Sequence, residues 1–154
     1  MSTPADRLAA LGLVLPEVVA PVAAYVPAVL TGCYVYTAGQ LPMAEGKLLA
    51  TGKVGAEVSL EDAATLAATC ALNAVAAAAS VAGGLAAIRR IVKVTGFVAS
   101  APGFTGQPKV INGASELLLD VFGDAGRHAR SAVGVAELPM DAPVEVELVA
   151  EVAG

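Results

Sequence analysis

Tryptophan is absent from this chain of 154 residues, and tyrosine and phenylalanine number only three each. Single-stranded nucleic acid is usually held on stacked aromatic rings inside a basic groove. Here 9 Lys and Arg stand against 14 Asp and Glu, net −5, with a pI of about 4.7. No nucleic-acid partner is expected. There is one histidine, His128, which alone builds no histidine metal cage, and no HExxH, paired CxxC or phosphate-cradling glycine loop occurs. No metal site is expected. The two cysteines, Cys33 and Cys70, lie far apart without metal-type neighbours and read as buried free thiols. Charge is scarce too, at 15% of residues against 56% hydrophobic, with a mean hydropathy of +0.72, which excludes a disordered chain. The excess is alanine and valine rather than a spanning segment. The most apolar run, Cys70 to Ile88, is interrupted by Asn73, Ser80, Gly83 and Gly84, so no membrane partner is expected. Met1 to Leu11 carries Asp6 and Arg7 and has no apolar core of a signal peptide, which points to the cytoplasm. So much apolarity with so few charges suggests a second buried surface and hence a homo-oligomer.

What is present reads as a single α+β domain over residues 1–154, of which residues 1–20 form an N-terminal extension with a short helix, Pro4 to Leu11. Leu13 to Pro21 is a proline-bounded apolar connector. Tyr25 to Leu30 and Tyr34 to Ala38, joined by a short turn, predict a hairpin, and Lys47 to Thr51 a third short strand. Ser59 followed by Glu61 and Asp62 predicts a capping box opening a long helix that ends at Gly83-Gly84. Its apolar face, Leu60, Ala64, Ala67, Ala71, Val75 and Ala78, is small enough for close packing. Ile88 to Val98 suits a strand largely buried on both faces. After a loop through Pro102 and Pro108, a second helix places Val110, Ala114, Leu117, Leu118 and Val121 on one face and ends at Gly123. Ser131 to Leu138 and Val144 to Val152 complete the strands. This order implies one mixed sheet with both long helices on the same face.

The segment Gly126-Arg-His-Ala-Arg-Ser131 is a cationic knot leading into an apolar strand. A Ser-His-Asp triad would have to use His128, whose neighbours Arg127 and Arg130 disfavour an imidazolium, so none is expected. An arginine at the mouth of a sheet needs an anion, and a planar guanidinium suits a carboxylate bidentately. From composition alone, Arg130 either binds an anionic ligand or pairs with a glutamate of the last strand.

The run Ala129-Arg130-Ser131-Ala132-Val133-Gly134-Val135-Ala136-Glu137-Leu138-Pro139, followed by Val144-Glu145-Val146-Glu147, resembles the C-terminal signature of the RidA/YjgF family, P-A-R-S-x-V-x-V-x-x-L-P before I-E-I-E. Tyr25, Gly32 and Ala38-Gly39-Gln40-Leu41-Pro42 resemble that family's hairpin, and Asn112-Gly-Ala-Ser-Glu116 its V-N-x-x-x-E. The resemblance spans about Ala20 to Val152. It implies a chorismate-mutase-like homotrimer with sites in clefts between subunits, and cofactor-free hydrolysis of reactive 2-imino acids, tautomers of enamines such as 2-aminoacrylate, to 2-keto acids and ammonia. The partner implied is thus a small 2-imino or 2-keto carboxylate. Arg130 falls on the carboxylate-binding arginine and Glu145 on the glutamate associated with the attacking water. Tyr25, Asn112, Ala132 and Gly39 fall on the substrate pocket. Apart from the resemblance, Tyr25 reads as a packed hairpin tyrosine and Asn112 as a helix N-terminal cap. Ala132 replaces the family's cysteine, Ala38 its serine before Gly-Gln, and Ala23-Ala24-Tyr25-Val26-Pro27 its G-P-Y-S-Q, which marks a divergent branch. The alternative is a non-catalytic trimer that binds a carboxylate metabolite or acts as an interaction module.

Overall fold

In the computed structural model, which describes residues 1–18 and 20–154, the chain opens with helix α1, Pro4–Ala10. Thr3 and Asp6 cap it reciprocally: the Thr3 hydroxyl accepts from the Asp6 amide at 3.1 Å, and the Asp6 carboxylate accepts from the Thr3 amide at 2.8 Å. Leu8 is buried in the common core, so the extension is part of the packing. Of the expected connector Leu13 to Pro21, Val19 lies outside the described residues.

Strands β1, Ala28–Thr31, and β2, Tyr34–Thr37, form the hairpin around a two-residue turn in which Gly32 has φ of 58°. β1 begins three residues later than expected, because Pro27 has no N–H to give to a ladder and contributes only its carbonyl, which accepts from the Ala38 amide. The third strand is also different from expectation. Met43–Ala44 (β3) and Lys47–Leu48 (β4) close on each other across Glu45-Gly46, both at positive φ, and stay outside the main sheet.

Helix α2, Leu60–Ala82, starts at Ser59, whose hydroxyl accepts from the Asp62 amide, and stops at left-handed Gly83. By length and composition it could cross a membrane, but it is the core helix of this fold, with 56% of its most apolar window buried. Its buried set is wider than one stripe: beside Ala67, Ala71, Val75 and Ala78 it includes Ala63, Leu66, Cys70, Ala74 and Ala77, whereas Leu60 and Ala64 are half-buried. An alanine helix enclosed on two sides explains the width. Strand β5, Ile88–Ala99, leads to helix α3, Gln107–Phe122, then to β6, Ala129–Val135, and β7, Val144–Val152. The close approach of the helices is visible at Gly113, where a Cβ would fall on the Ala64 carbonyl.

The main sheet has the order β1-β2-β7-β5-β6, antiparallel except for the parallel β5–β6 pair. β6 starts two residues before the expected Ser131 and leaves the sheet after Val135, because its partner β5 ends at Ala99. Both long helices pack on one face, as the element order implied. β5 is correspondingly buried on one face only: Ile91, Val94, Gly96 and Val98 are covered, while Lys93, Thr95 and Phe97 are half-buried on the other. That uncovered face also carries Val29, Tyr34, Tyr36 and Val133, between 41% and 51% exposed.

Candidate functional site

Arg130 stands in register with Val94 on β5, and Val94 with Leu148 on β7, so all three point to the helix side of the sheet. There the guanidinium meets α3. Nη1 donates to Asn112 Oδ1 at 2.8 Å and to Ser115 Oγ at 3.2 Å, and Nη2 donates to the Pro108 carbonyl at 3.3 Å. These three bonds use three of the five guanidinium hydrogens and leave Nε–H and one Nη2–H. Two donors on adjacent nitrogens match the two oxygens of a carboxylate. The expected alternative, an ion pair with a glutamate of the last strand, is not formed. Arg130 has no carboxylate partner among the described residues, and Glu145, Glu147 and Glu151 alternate onto the opposite face of the sheet. Asn112 is not a helix cap either, because α3 is capped at Gly106 and Asn112 lies more than a turn inside it.

Glu145, opposite Phe97 of β5, sits half-buried on the uncovered face. Partial burial, and then repulsion from Glu147 two residues along, raise its carboxyl above the usual range. Gly39 packs directly against it, and a Cβ at position 39 would occupy the place of the carboxylate. The role of this glycine is space, since its φ is ordinary. The segment is held by Gln40, which exchanges backbone hydrogen bonds with Val146 at 2.8 and 3.0 Å, and by Asn73 of α2, whose Nδ2 donates to the carbonyls of Leu41 and Met43.

Ala132 lies on the helix side opposite Gly96, two residues along β6 from Arg130 or about 7 Å. A methyl group stands there in place of a thiol. Tyr25 precedes β1 in a bend and is 59% exposed, so it is not a packed hairpin tyrosine. β1 and β6 are the two edges of the sheet, four strand spacings or about 19 Å apart, which separates Tyr25 from Arg130 within one chain. Glu145 is separated from Arg130 as well, two strands away and on the other face. One chain therefore holds two separate groups of these residues. Arg130, Asn112 and Ala132 form one, and Glu145 and Gly39 the other. A groove of about 470 Å³ between Tyr34, Arg90, Arg127, His128 and Glu151 is lined by neither Arg130 nor Glu145.

Sequence reasoning missed Ser115 and Asn73 and set His128 aside. Ser115 Oγ lies 2.9 Å from His128 Nε2, and His128 Nδ1 lies 2.6 Å from the Gly126 carbonyl. The available signal was the spacing: Asn112 and Ser115 share a helix face, and His128, just ahead of β6, lies two residues from Arg130. Cys70, by contrast, is fully buried with its thiol toward the Val144 carbonyl, and burial pushes its pKa far up, so it is no nucleophile.

Comparison with known proteins adds the lineage. Residues 5–152 match the model of the YjgF/chorismate mutase-like, putative endoribonuclease family. Protein TCP17 of Trypanosoma cruzi is 43% identical over 148 residues, covering 96% of this chain and 92% of that protein. A putative endoribonuclease from Shewanella oneidensis is 36% identical, with a TM-score of 0.94 over 98% of this chain and 100% of the other. TdcF of E. coli with bound serine is 25% identical, with a TM-score of 0.64 over 88% of this chain and 94% of the other. With its mixed sheet, helix pair and near-complete match, the chain belongs to the YjgF/chorismate mutase-like family.

Proposed function

We propose that the protein is a cofactor-free deaminase that hydrolyses 2-imino acids to 2-keto acids and ammonia, in clefts shared between the subunits of a homotrimer. The observation that carries this reading is the state of Arg130: anchored by three neutral acceptors, with two hydrogens left and no carboxylate partner among the described residues. Such a group is built to receive the carboxylate of a small ligand, and the serine bound to TdcF carries one. The uncovered sheet face, half apolar, supports a subunit interface, and an interface is what would bring the Glu145 half-site of one chain to the Arg130 half-site of another.

The chemistry asks little of the protein, because an imine carbon is already electrophilic. Arg130 holds the carboxylate, and Glu145 takes a proton from water as its oxygen adds to the carbon of the N-protonated imine, giving a neutral carbinolamine. Glu145 returns that proton to the nitrogen, then takes the hydroxyl proton as the C–N bond breaks and the hydroxyl becomes a carbonyl, and ammonia leaves to be protonated as ammonium. A carboxylate whose pKa is raised by burial is the better base for the first step. Ala132 and Ala38 leave polar duties in the cleft to backbone groups, the feature that favours a non-catalytic carboxylate-binding trimer as the second reading.

A semicarbazide-coupled assay with enzymatically generated 2-imino acids separates the two. We expect turnover that Glu145→Gln reduces by about 100-fold in kcat with little change in KM, whereas Arg130→Lys mainly raises KM, by about tenfold or more. Wild-type trimers that bind 2-oxobutanoate without turning over any imine would establish the binding protein instead.

A further inference from the structure

We propose that His128, acting through Ser115, is a positioning residue that locks the Arg130 guanidinium in the orientation that receives a ligand carboxylate. The inference rests on the reading of Arg130 as the carboxylate anchor and adds two residues to it.

The argument is one of proton inventory. The Gly126 carbonyl has no hydrogen to give, so at 2.6 Å the donor is His128 Nδ1–H. In the neutral ring this leaves Nε2 as an acceptor, and the Ser115 hydroxyl, 2.9 Å away, is the group that donates to it. With its hydrogen committed to His128, Ser115 Oγ turns its lone pairs outward, and one accepts from Arg130 Nη1 at 3.2 Å. The chain of bonds thus runs in a single direction, from guanidinium to serine to imidazole to backbone.

Its far end is fixed. Gly126 is buried against α3 so closely that a Cβ there would fall on the Leu118 carbonyl, so its own carbonyl is a rigid anchor for the ring. The near end matters because a serine inside a helix has an alternative: its hydroxyl can bond back to the carbonyl four residues earlier, here Ile111. Without His128 to hold the hydroxyl hydrogen, that rotation takes the oxygen away from Nη1. Asn112 would then hold Nη1 alone, and with only that bond and the 3.3 Å bond from Nη2 to the Pro108 carbonyl left, the guanidinium can turn its remaining Nε and Nη2 hydrogens out of the cleft. Four residues on two elements make the device, Asn112 and Ser115 on one face of α3 meeting His128 and Arg130 on one side of the segment entering β6.

The test uses the full chain in its native assembly, with 2-oxobutanoate as the titrated ligand and calorimetry as the readout. Ser115→Ala and His128→Phe should each raise Kd about tenfold, the double variant should lose no more than either single one, and Ser115→Thr, which keeps the hydroxyl, should restore binding to within about threefold. Imine kinetics on the same variants should show the loss in KM with kcat preserved, a split that general loosening of the fold does not produce. In ¹⁵N spectra the Arg130 Nη signals should be slowly exchanging in the wild type and averaged in His128→Phe. If Ser115→Ala and His128→Phe bind 2-oxobutanoate as tightly as wild type while Arg130→Lys loses it, the positioning role is overturned and the reading of Arg130 stands. If 2-oxobutanoate binds the wild type and Arg130→Lys equally, or neither, both fall together.

Discussion

At position 145 a carboxylate is half-buried beside a second carboxylate and, among the described residues of its own chain, pairs with no cation, so ionisation works against folding of the chain there. The sign of the pH dependence follows. The folded chain holds the Glu145 proton to higher pH than the unfolded chain does, so between the ordinary glutamate pKa and the raised one the folded state binds more protons, and stability falls as pH rises through that window. Glu145→Gln removes the penalty. The variant should melt above wild type at pH 7, with the gap closing toward pH 4, as thermal unfolding at both pH values would show. A lower melting temperature at pH 7 would mean that the carboxylate has a stabilising partner. Gly39 leaves the carboxylate its room, and if Glu145 is the base proposed above, poor solvation makes it the stronger one.

Among the elements, α2 and α3 depend most on small residues. Gly113 faces the Ala64 carbonyl with no room for a methyl group, so Gly113→Ala should push the helices apart and destabilise the chain by about 1–3 kcal/mol, despite alanine's better helix propensity. For a chain of this size that is a fall in Tm of roughly 2–4 °C per kcal/mol, checked by calorimetry. Helix limits were legible in the sequence because capping and glycine chemistry is local: Ser59 stands where helical periodicity begins, and Gly83 and Gly123 where it ends. Strand limits were less so, because a strand ends where its partner does. β6 stops at Val135 when β5 runs out at Ala99, and Lys47-Leu48 pairs with Met43-Ala44 rather than with the sheet. The site divides in the same way. Arg130 and Glu145 were visible as residues, but their placement on opposite faces depends on register, and Ser115 joins Arg130 only because α3 crosses β6 at that point.

For the molecule as a whole, the uncovered sheet face is the feature that a single chain leaves unexplained. Tyr36 and Val133, 51% and 44% exposed, lie there with Phe97 and Val149 among Lys93, Glu147 and Glu151, a mixture suited to a subunit contact. Light scattering should give a trimer of the 15.2 kDa chain at micromolar concentration, and Tyr36→Glu, which would bury a charge at that contact, should shift it toward monomer and abolish imine turnover.

The central claim is that each site takes Arg130 from one subunit and Glu145 from another, and co-refolding two dead variants tests it directly. Arg130→Ala and Glu145→Gln chains, each nearly inactive alone, are mixed in equal amounts, unfolded and reassembled. If the site is shared, random assortment in the trimer pairs an intact arginine with an intact glutamate in about a quarter of the clefts, and imine turnover should return to about a quarter of wild type. If reassembled mixed trimers stay as inactive as the separate variants, the two residues do not act together across a subunit boundary and the account is wrong.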